Sequence, residues 1–297
     1  MLNRRAFLSY SLLFLSGCTV AQTASTTNAA STSQLKRPSQ LRFAVTDISG
    51  TEELEQDFGS FRQALETVLE LPVEFFPVNN FLDAAPALLA NELDFAMAGP
   101  SEYLLLKARA NAIPLVGLTR PGYYTMVMTR ADSDIKTLAD LKGQKIAMRS
   151  EGSTAGHIVP MKMLLDEGLA PDSYEVLMLD KKGPEALLEG TVSAWVDSHR
   201  RYNLFVVEAD REDKFRILTK SENLPPDVLV ANPSLGDAFL NQLTEKLTAN
   251  KKTLMPALYS SKANKKYKES DMIPVDDSNY QVLRDSYYAI GQGSAIE

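Results

Sequence analysis

The stretch Lys145-Ile146-Ala147-Met148-Arg149-Ser150-Glu151-Gly152-Ser153-Thr154-Ala155-Gly156-His157 decides how this chain is read. Its first four residues form a short, mostly apolar strand. A polar turn with glycine follows, and Met161, Leu164 and Leu165 then mark one face of a helix. Strand, turn and helix in that order are the repeating unit of an α/β fold with a mostly parallel sheet. The turn also carries chemistry. The first amides of a helix have no partner inside it, the helix dipole adds partial positive charge, and the Ser153 and Thr154 hydroxyls can donate as well. The mouth of this helix is therefore a cradle for an anion, and no lysine is required for that task. The plainer alternative is that Ser153 or Thr154 only caps the helix. Pro160 bears on the geometry, because in a helix beginning as early as Ser153 it lies beyond the first turn and should disturb it.

Outward from this stretch the same rhythm continues on both sides. Upstream, residues 41–45 read as a strand; Phe58, Phe61, Leu65, Val68 and Leu69 share one helical face; and residues 73–76 read as a second strand. Asn80 is placed to cap a helix whose inner face includes Ala84, Leu88 and Leu89, ahead of a strand at 94–98. Downstream, strands are expected at 174–179 and 193–196, with helices near 137–142, 156–167 and 183–190. Two α/β lobes are the economical reading. The extended segments 123–129 and 228–231 stand where the chain can cross between them, which gives residues 41–124 with 229–297 as lobe 1 and residues 125–228 as lobe 2. No short-period repeat accompanies this repetition of architecture.

Composition narrows the function. The chain has 297 residues, enough for two lobes with a core in each. Its 31 Lys and Arg against 38 Asp and Glu give a formal charge of −7. With no long basic run interleaved with aromatics, nucleic acid is not an expected partner.

The N-terminus reads as an export signal. Arg4 and Arg5 precede a predominantly apolar run from Ala6 to Leu15, and Leu15-Ser16-Gly17-Cys18 closes it with small residues before a cysteine. This resembles a bacterial lipobox, in which the cysteine is lipidated and becomes the new N-terminus. Residues 1–17 are then the signal peptide, and residues 18–40, rich in Thr, Ser and Ala, a flexible lipid-anchored tether. Arg4-Arg5-Ala6-Phe7-Leu8 also resembles a twin-arginine signal, so the export route stays open. Several acyl chains, each methylene contributing about 0.8 kcal/mol, hold such a protein at a membrane surface. Cys18 is the single cysteine, so the mature fold is expected to hold no disulfide and no cysteine metal cluster. No other apolar stretch is long enough to span a bilayer.

Catalysis finds little support. There are two histidines, His157 and His199, and no nucleophile elbow, zinc-type His pair or phosphate-loop signature; no carboxylate spacing singles out an acid and base pair. No enzyme activity, metal or cofactor is expected. A second strand-to-helix loop, Gly99-Pro100-Ser101-Glu102-Tyr103, instead repeats the logic of the first, with a hydroxyl and amides at the C-terminal edge of a sheet, where open α/β sheets bind ligands.

These loops carry a resemblance. Over nearly all of the mature chain the sequence resembles the periplasmic phosphonate-binding proteins of ABC importers, a group that includes phosphite binders. The matching stretches are Leu41-Arg42-Phe43-Ala44-Val45, Leu93-Asp94-Phe95-Ala96-Met97-Ala98-Gly99-Pro100, Gly122-Tyr123-Tyr124-Thr125, Ile135 to Gly143, Gly152-Ser153-Thr154-Ala155-Gly156 and Leu224-Pro225-Pro226-Asp227. The resemblance implies the two-lobed periplasmic-binding-protein fold of type II, each lobe a mostly parallel sheet with flanking helices, hinged by two crossing strands. It implies a phosphoryl group held at Ser153 and Thr154, with Tyr123 and Asp227 as further contacts. A carboxylate beside an anion makes sense if the ligand keeps a proton, since a protonated oxygen donates to it. The partners implied are a small oxyanion and an ABC permease, with the protein a monomer.

Departures from the family pattern are informative. The usual Ser-Thr-Ser reads Ser153-Thr154-Ala155, His157 stands where an aromatic is common, and Phe81 replaces a tyrosine. Lys182-Gly183-Pro184-Glu185-Ala186 lacks the family's histidine. Where aminoalkylphosphonate binders place an acid for the ligand's amine, this chain offers Asp197, Ser198, His199 and Arg200. These losses point to a smaller or differently shaped anion. The candidate ligand-binding set is thus Ser153, Thr154, Ala155, Tyr123, Asp227, Gly99, Pro100, Ser101, His157, Asp197 and Phe81. Trp195 either closes a pocket wall or packs in the core. The alternatives are a binder of another small anion, a ligand-sensing lipoprotein presenting to a membrane receptor, and an exported enzyme with Asp227 or His157 as base.

Overall fold

A computed structural model describes residues 37–48, 50–78 and 81–297, with the Phe81 side chain excepted. The expected signal peptide, the lipidated Cys18, most of the tether and the Asn80 cap lie outside the described residues.

Two sheets organise the chain. In the first, strands β1 (Leu41–Val45), β2 (Val73–Phe75), β3 (Phe95–Ala98) and β4 (Ile113–Leu118) run in one direction. The second holds β5 (Thr125–Arg130), β6 (Lys145–Met148), β7 (Glu175–Met178), β8 (Ala194–Ser198) and β9 (Phe215–Lys220), and the chain then returns through β10 (Asp227–Ala231) and β11 (Met272–Ile273) to the first. The orders are β11-β4-β10-β3-β1-β2 and β7-β6-β8-β5-β9. Both sheets are mixed for the same reason. A strand arriving from the other lobe, β10 in the first sheet and β5 in the second, is wedged antiparallel among strands that otherwise run parallel. β11 adds a second antiparallel strand at the edge of the first sheet. The sheets meet through residues 119–124 and 221–226. The extended segments read from the sequence as crossings are thus largely strands, β5 and β10, and the crossings proper are the loops that precede them.

Helix α1 (Thr51–Leu69) buries Leu54, Phe58, Phe61, Leu65 and Leu69 on the first sheet, while Val68 is partly covered. Helix α2 (Ala84–Leu89) buries Ala84 and Leu88 but leaves Leu89 60% exposed, since the helix ends there and turns its last residue outward. Helix α3 (Pro100–Ala110) follows β3 directly, with Pro100 in its first turn, where a missing N–H costs nothing. Helix α4 (Val159–Asp166) follows β6, and α5 (Gly183–Leu188) and α6 (His199–Tyr202) flank the second sheet. Trp195 is a core residue at 1% exposure, edge-on to Phe205 and Phe215. Gly183 lies so close that a Cβ there would meet the indole at 2.5 Å.

Helices α7 (Asp237–Ala249) and α8 (Lys251–Leu258) complete the outer layer of the first lobe. The last helix, α9 (Gln281–Ala289), does something different. It packs against α3 of the first lobe and α4 of the second, and Leu283 and Tyr287 share one buried cluster with residues of both. Tyr280, just ahead of it, packs edge-on to Tyr103 at 4.7 Å and donates its hydroxyl to the Pro226 carbonyl at 3.0 Å, inside a crossing loop.

Candidate functional site

The turn after β6 begins with Arg149, whose N–H donates to the Gly156 carbonyl at 3.1 Å and folds the loop back on itself. This brings the two backbones so close that a Cβ on Gly156 would meet Arg149 Cβ at 2.5 Å. The helix that follows opens as a π turn over Thr154–Ile158. The Ser153 carbonyl accepts from both His157 and Ile158, and α4 takes over only at Val159. Pro160 explains the wide turn, because a proline ring clashes with the carbonyl four residues back, here that of Gly156. The disturbance expected from Pro160 is real and is absorbed as one extra residue in the first turn. The amides of Thr154, Ala155 and Gly156 precede the first closed turn and have no partner within the helix.

The first lobe supplies the opposite wall. The Ser101 N–H, at the start of α3, donates to Thr154 Oγ1 at 3.0 Å, so the two helix mouths face each other and touch. Between them lies a cavity of about 30 Å³ bordered by Gly99, Tyr123, Ser153, Thr154 and Asp227. It continues into a chamber of about 300 Å³ and an outer mouth of about 880 Å³. The inner space is of the order of one or two water-sized groups.

Charged side chains line it more densely than the two loops alone imply. Arg120, Arg149 and Lys266 reach the cavity, with Asp47, Glu102 and Asp227 between them. Arg120 Nη1 donates to Asp227 at 3.0 and 3.3 Å and stacks over the Tyr123 ring with its guanidinium carbon 3.5 Å from the centroid. Tyr267 Oη donates to Asp227 Oδ2, the oxygen farther from Arg120, so both carboxylate oxygens are engaged. Arg149 of the second lobe reaches Asp47 of the first at 3.8 Å and Asp180 at 3.5 Å. Burial works against the Arg120 charge, yet Asp227 holds the guanidinium's pKa above its usual range. Burial raises the Asp47 carboxyl, but Lys266, Arg149, Arg120 and Arg200 outweigh it and hold it down at about 2. Burial also pushes the Lys266 ammonium down to about 8, against the pull of Asp47, and pushes Glu102 up to about 7.

Of the residues singled out in the sequence, Ser153, Thr154, Tyr123, Asp227 and Gly99 border the inner cavity. Ser101 contributes its amide from just behind the wall, and Pro100 starts the helix without bordering the cavity. Ala155 and Asp197 border the adjoining chamber. Asp197 pairs with Arg201 at 2.9 Å, and burial raises its pKa. His157 does not border the cavity. Its Nδ1 accepts the Gly152 N–H at 3.0 Å, which makes it a strut of the turn, and burial lowers its pKa and favours the neutral ring. The Phe81 side chain is outside the described residues. The sequence reading noted that the helix mouth requires no lysine; Arg120, Arg149, Lys266 and Glu102, which it did not single out, also border the cavity. Arg149 and Arg120 stand within two residues of a strand's C-terminal end, so the edge rule that selected the turns also applied to them. Lys266 and Tyr267 come from a 3₁₀ turn, Ala263–Tyr267, with no periodic signal of its own.

Comparisons with known proteins bear on the family and the fold. A family model described as "ABC transporter, phosphonate, periplasmic substrate-binding protein" matches residues 43–280. Among curated proteins, the phosphate-import protein PhnD of Mycolicibacterium smegmatis is 23% identical over 235 residues, covering 69% of this chain and 70% of that protein. PhnD1 from Prochlorococcus marinus, solved with methylphosphonate, superposes with a TM-score of 0.69 at 15% identity over 86% of this chain and 100% of its own. The aliphatic sulphonate binding protein SsuA from Escherichia coli gives 0.58 at 18% identity, covering 85% of this chain and 87% of its own. At such identities the structural likeness establishes the fold, the two-lobed type II arrangement.

Proposed function

Since the chain belongs to the family of periplasmic substrate-binding proteins of phosphonate ABC transporters, we propose that it captures one compact tetrahedral oxyanion, a phosphonate, phosphite or close relative, between its lobes. It hands that anion to an ABC permease without chemical change. The observation that carries this reading is the inner cavity of about 30 Å³, where the Thr154 helix mouth and the α3 helix mouth converge with Arg120, Arg149 and Lys266. The inner cavity takes the anionic end of a ligand and the adjoining chamber of about 300 Å³ the rest, so it is the departures from the family pattern at Phe81, Ala155 and residues 182–186 that disfavour an aminoalkyl chain.

In this reading Ser153, Thr154 and the amides that follow hold the oxyanion from the second lobe, while Gly99, Ser101 and Tyr123 close on it from the first. Asp227 acts through Arg120. With both oxygens engaged, it fixes the guanidinium beside the ligand. Ala155 and Asp197 shape the chamber through which the ligand enters. His157 holds the turn in place. Residues 1–17 serve export, Cys18 carries the lipid anchor, and the protein works as a monomer, hinging at the loops 119–124 and 221–226.

Titration calorimetry with methylphosphonate, phosphite, phosphate, sulfate and 2-aminoethylphosphonate tests the reading. We expect one-to-one binding of methylphosphonate or phosphite, with the aminoalkyl compound much weaker. Absence of binding by all the small oxyanions would sink it. A second reading, a sulfonate binder, draws support from the cationic side chains, which do not distinguish phosphorus from sulfur at equal charge. Methanesulfonate in the same panel separates the two.

A further inference from the structure

Glu102 is the group in the cavity that the oxyanion reading leaves unexplained. It sits in the first turn of α3, is 6% exposed, and its Oε2 has no hydrogen-bond partner among the described residues. Its placement is tightly defined. A Cβ on Gly99 would meet Oε2 at 2.4 Å, so the carboxyl lies directly over the glycine that opens the cavity wall. A buried carboxylate with one oxygen lacking a donor, on a residue bordering the cavity where an anion is to sit, is doubly unfavourable when charged.

The surrounding charges sharpen the point. Burial raises the Glu102 pKa most, and Asp47 after β1 and Asp227 at the head of β10 add to it, whereas a hydrogen bond from its own backbone N–H and Arg149 after β6 lower it. Arg120 and Lys266 line the same cavity. The phenols of Tyr123, Tyr267 and Tyr287 face the same region, and each is itself raised by burial. Three cations against Asp47 and Asp227 leave one positive charge for a guest, and an ionised Glu102 would cancel it. A protonated Glu102 preserves that charge and adds one more donor.

Resting on the reading of this cavity as an oxyanion site, we infer that Glu102 enters the complex as a carboxylic acid donating a hydrogen bond to the bound anion, so that capture takes up a proton. The proton comes from solvent, ends on a Glu102 oxygen, and no bond of the ligand is made or broken. The sign follows directly. With its pKa at about 7, Glu102 already carries the proton at lower pH and binding is strongest there. Above that, each capture must first draw a proton from water, and affinity falls.

The test compares the full-length chain with its E102Q variant, using methylphosphonate as probe, by calorimetry between pH 6 and pH 8. The protonated fraction of Glu102 falls about tenfold over that range, so the ratio of wild-type Kd to E102Q Kd should rise about tenfold. Titration of the ligand and of Lys266 is common to both proteins and cancels in the ratio. At pH 8 the wild type should also take up close to one more proton per ligand than E102Q, read from the dependence of heat on buffer ionisation. If E102Q does not fold, E102A replaces it, with the same rise in ratio expected. Intact binding with a constant ratio overturns this inference and spares the proposed function; phosphite replaces methylphosphonate as probe if the wild type binds only that, and binding of none of the small oxyanions at any pH overturns both.

Discussion

Thr154 is the residue on which both lobes depend. Its oxygen accepts the Ser101 amide across the cleft, leaving its own hydrogen to donate to an oxygen in the cavity. Thr154→Val keeps the branched shape, leaves the Ser101 amide unsatisfied and removes the donor. Each loss costs about 1–2 kcal/mol, so methylphosphonate affinity should drop about thirtyfold to a thousandfold with the circular dichroism spectrum unchanged. Equal affinity would take the hydroxyl out of the site. At this scale the sequence was partly legible. Small hydroxyl residues at a helix start announce an anion cradle by their chemistry alone. Arg149 and Glu102 stood inside the very stretches quoted, yet a lone arginine or glutamate reads as a solvated charge until the fold shows what it faces. Lys266 lies 112 positions beyond Thr154 in the chain, and only the return of the C-terminal segment to the first lobe brings it near.

Among the elements, the π turn of Thr154–Ile158 is the one that shapes the site. It depends on Pro160 for its width and on Gly156 for the close approach of Arg149. Gly156→Ala would force a Cβ against Arg149 Cβ, whose contact at 2.5 Å cannot be relieved by rotating a flexible chain end. We expect destabilisation of about 1–3 kcal/mol in urea unfolding, together with weaker anion binding because Arg149 is displaced. Unfolding unchanged by the substitution would show that the loop yields freely. Regular elements were largely readable: α1 has the apolar spacing of a helix, and β1, β6 and β8 are short apolar runs between turn signals. β4 was not, because Pro114 and Gly117 break its pattern. In the sheet, Pro114 falls where the register with β10 shifts, a position that tolerates a missing N–H. β9 is half exposed at a sheet edge, so burial imposes little pattern on it, whereas β7, at the other edge, falls within the strand expected at 174–179.

At the level of the whole molecule, two sheets built on the same plan are joined by two loops and bridged by α9. Tyr280 links this bridge to the crossing loop through Pro226. Tyr280→Phe removes that hydrogen bond while keeping the ring, at a cost of about 1 kcal/mol, which lowers the melting temperature by about 2–4 °C. Because the loosened segment is a crossing, stopped-flow measurements should also show faster ligand dissociation. A variant melting and releasing like the wild type would uncouple Tyr280 from the hinge. The repeated strand order follows from alternating α/β segments, but nothing local in the sequence marks a helix that touches both lobes; that depends on where the chain ends up.

The bridging helix fixes where movement is allowed. A hinged book can part only along its fore-edge, and α9 stands at the spine, so any widening at the mouth must be bought by slight sliding of Leu283 and Tyr287 over their neighbours. Packing quality under α9, behind the side chains that border the cavity, thereby becomes a dial on how long the cargo stays.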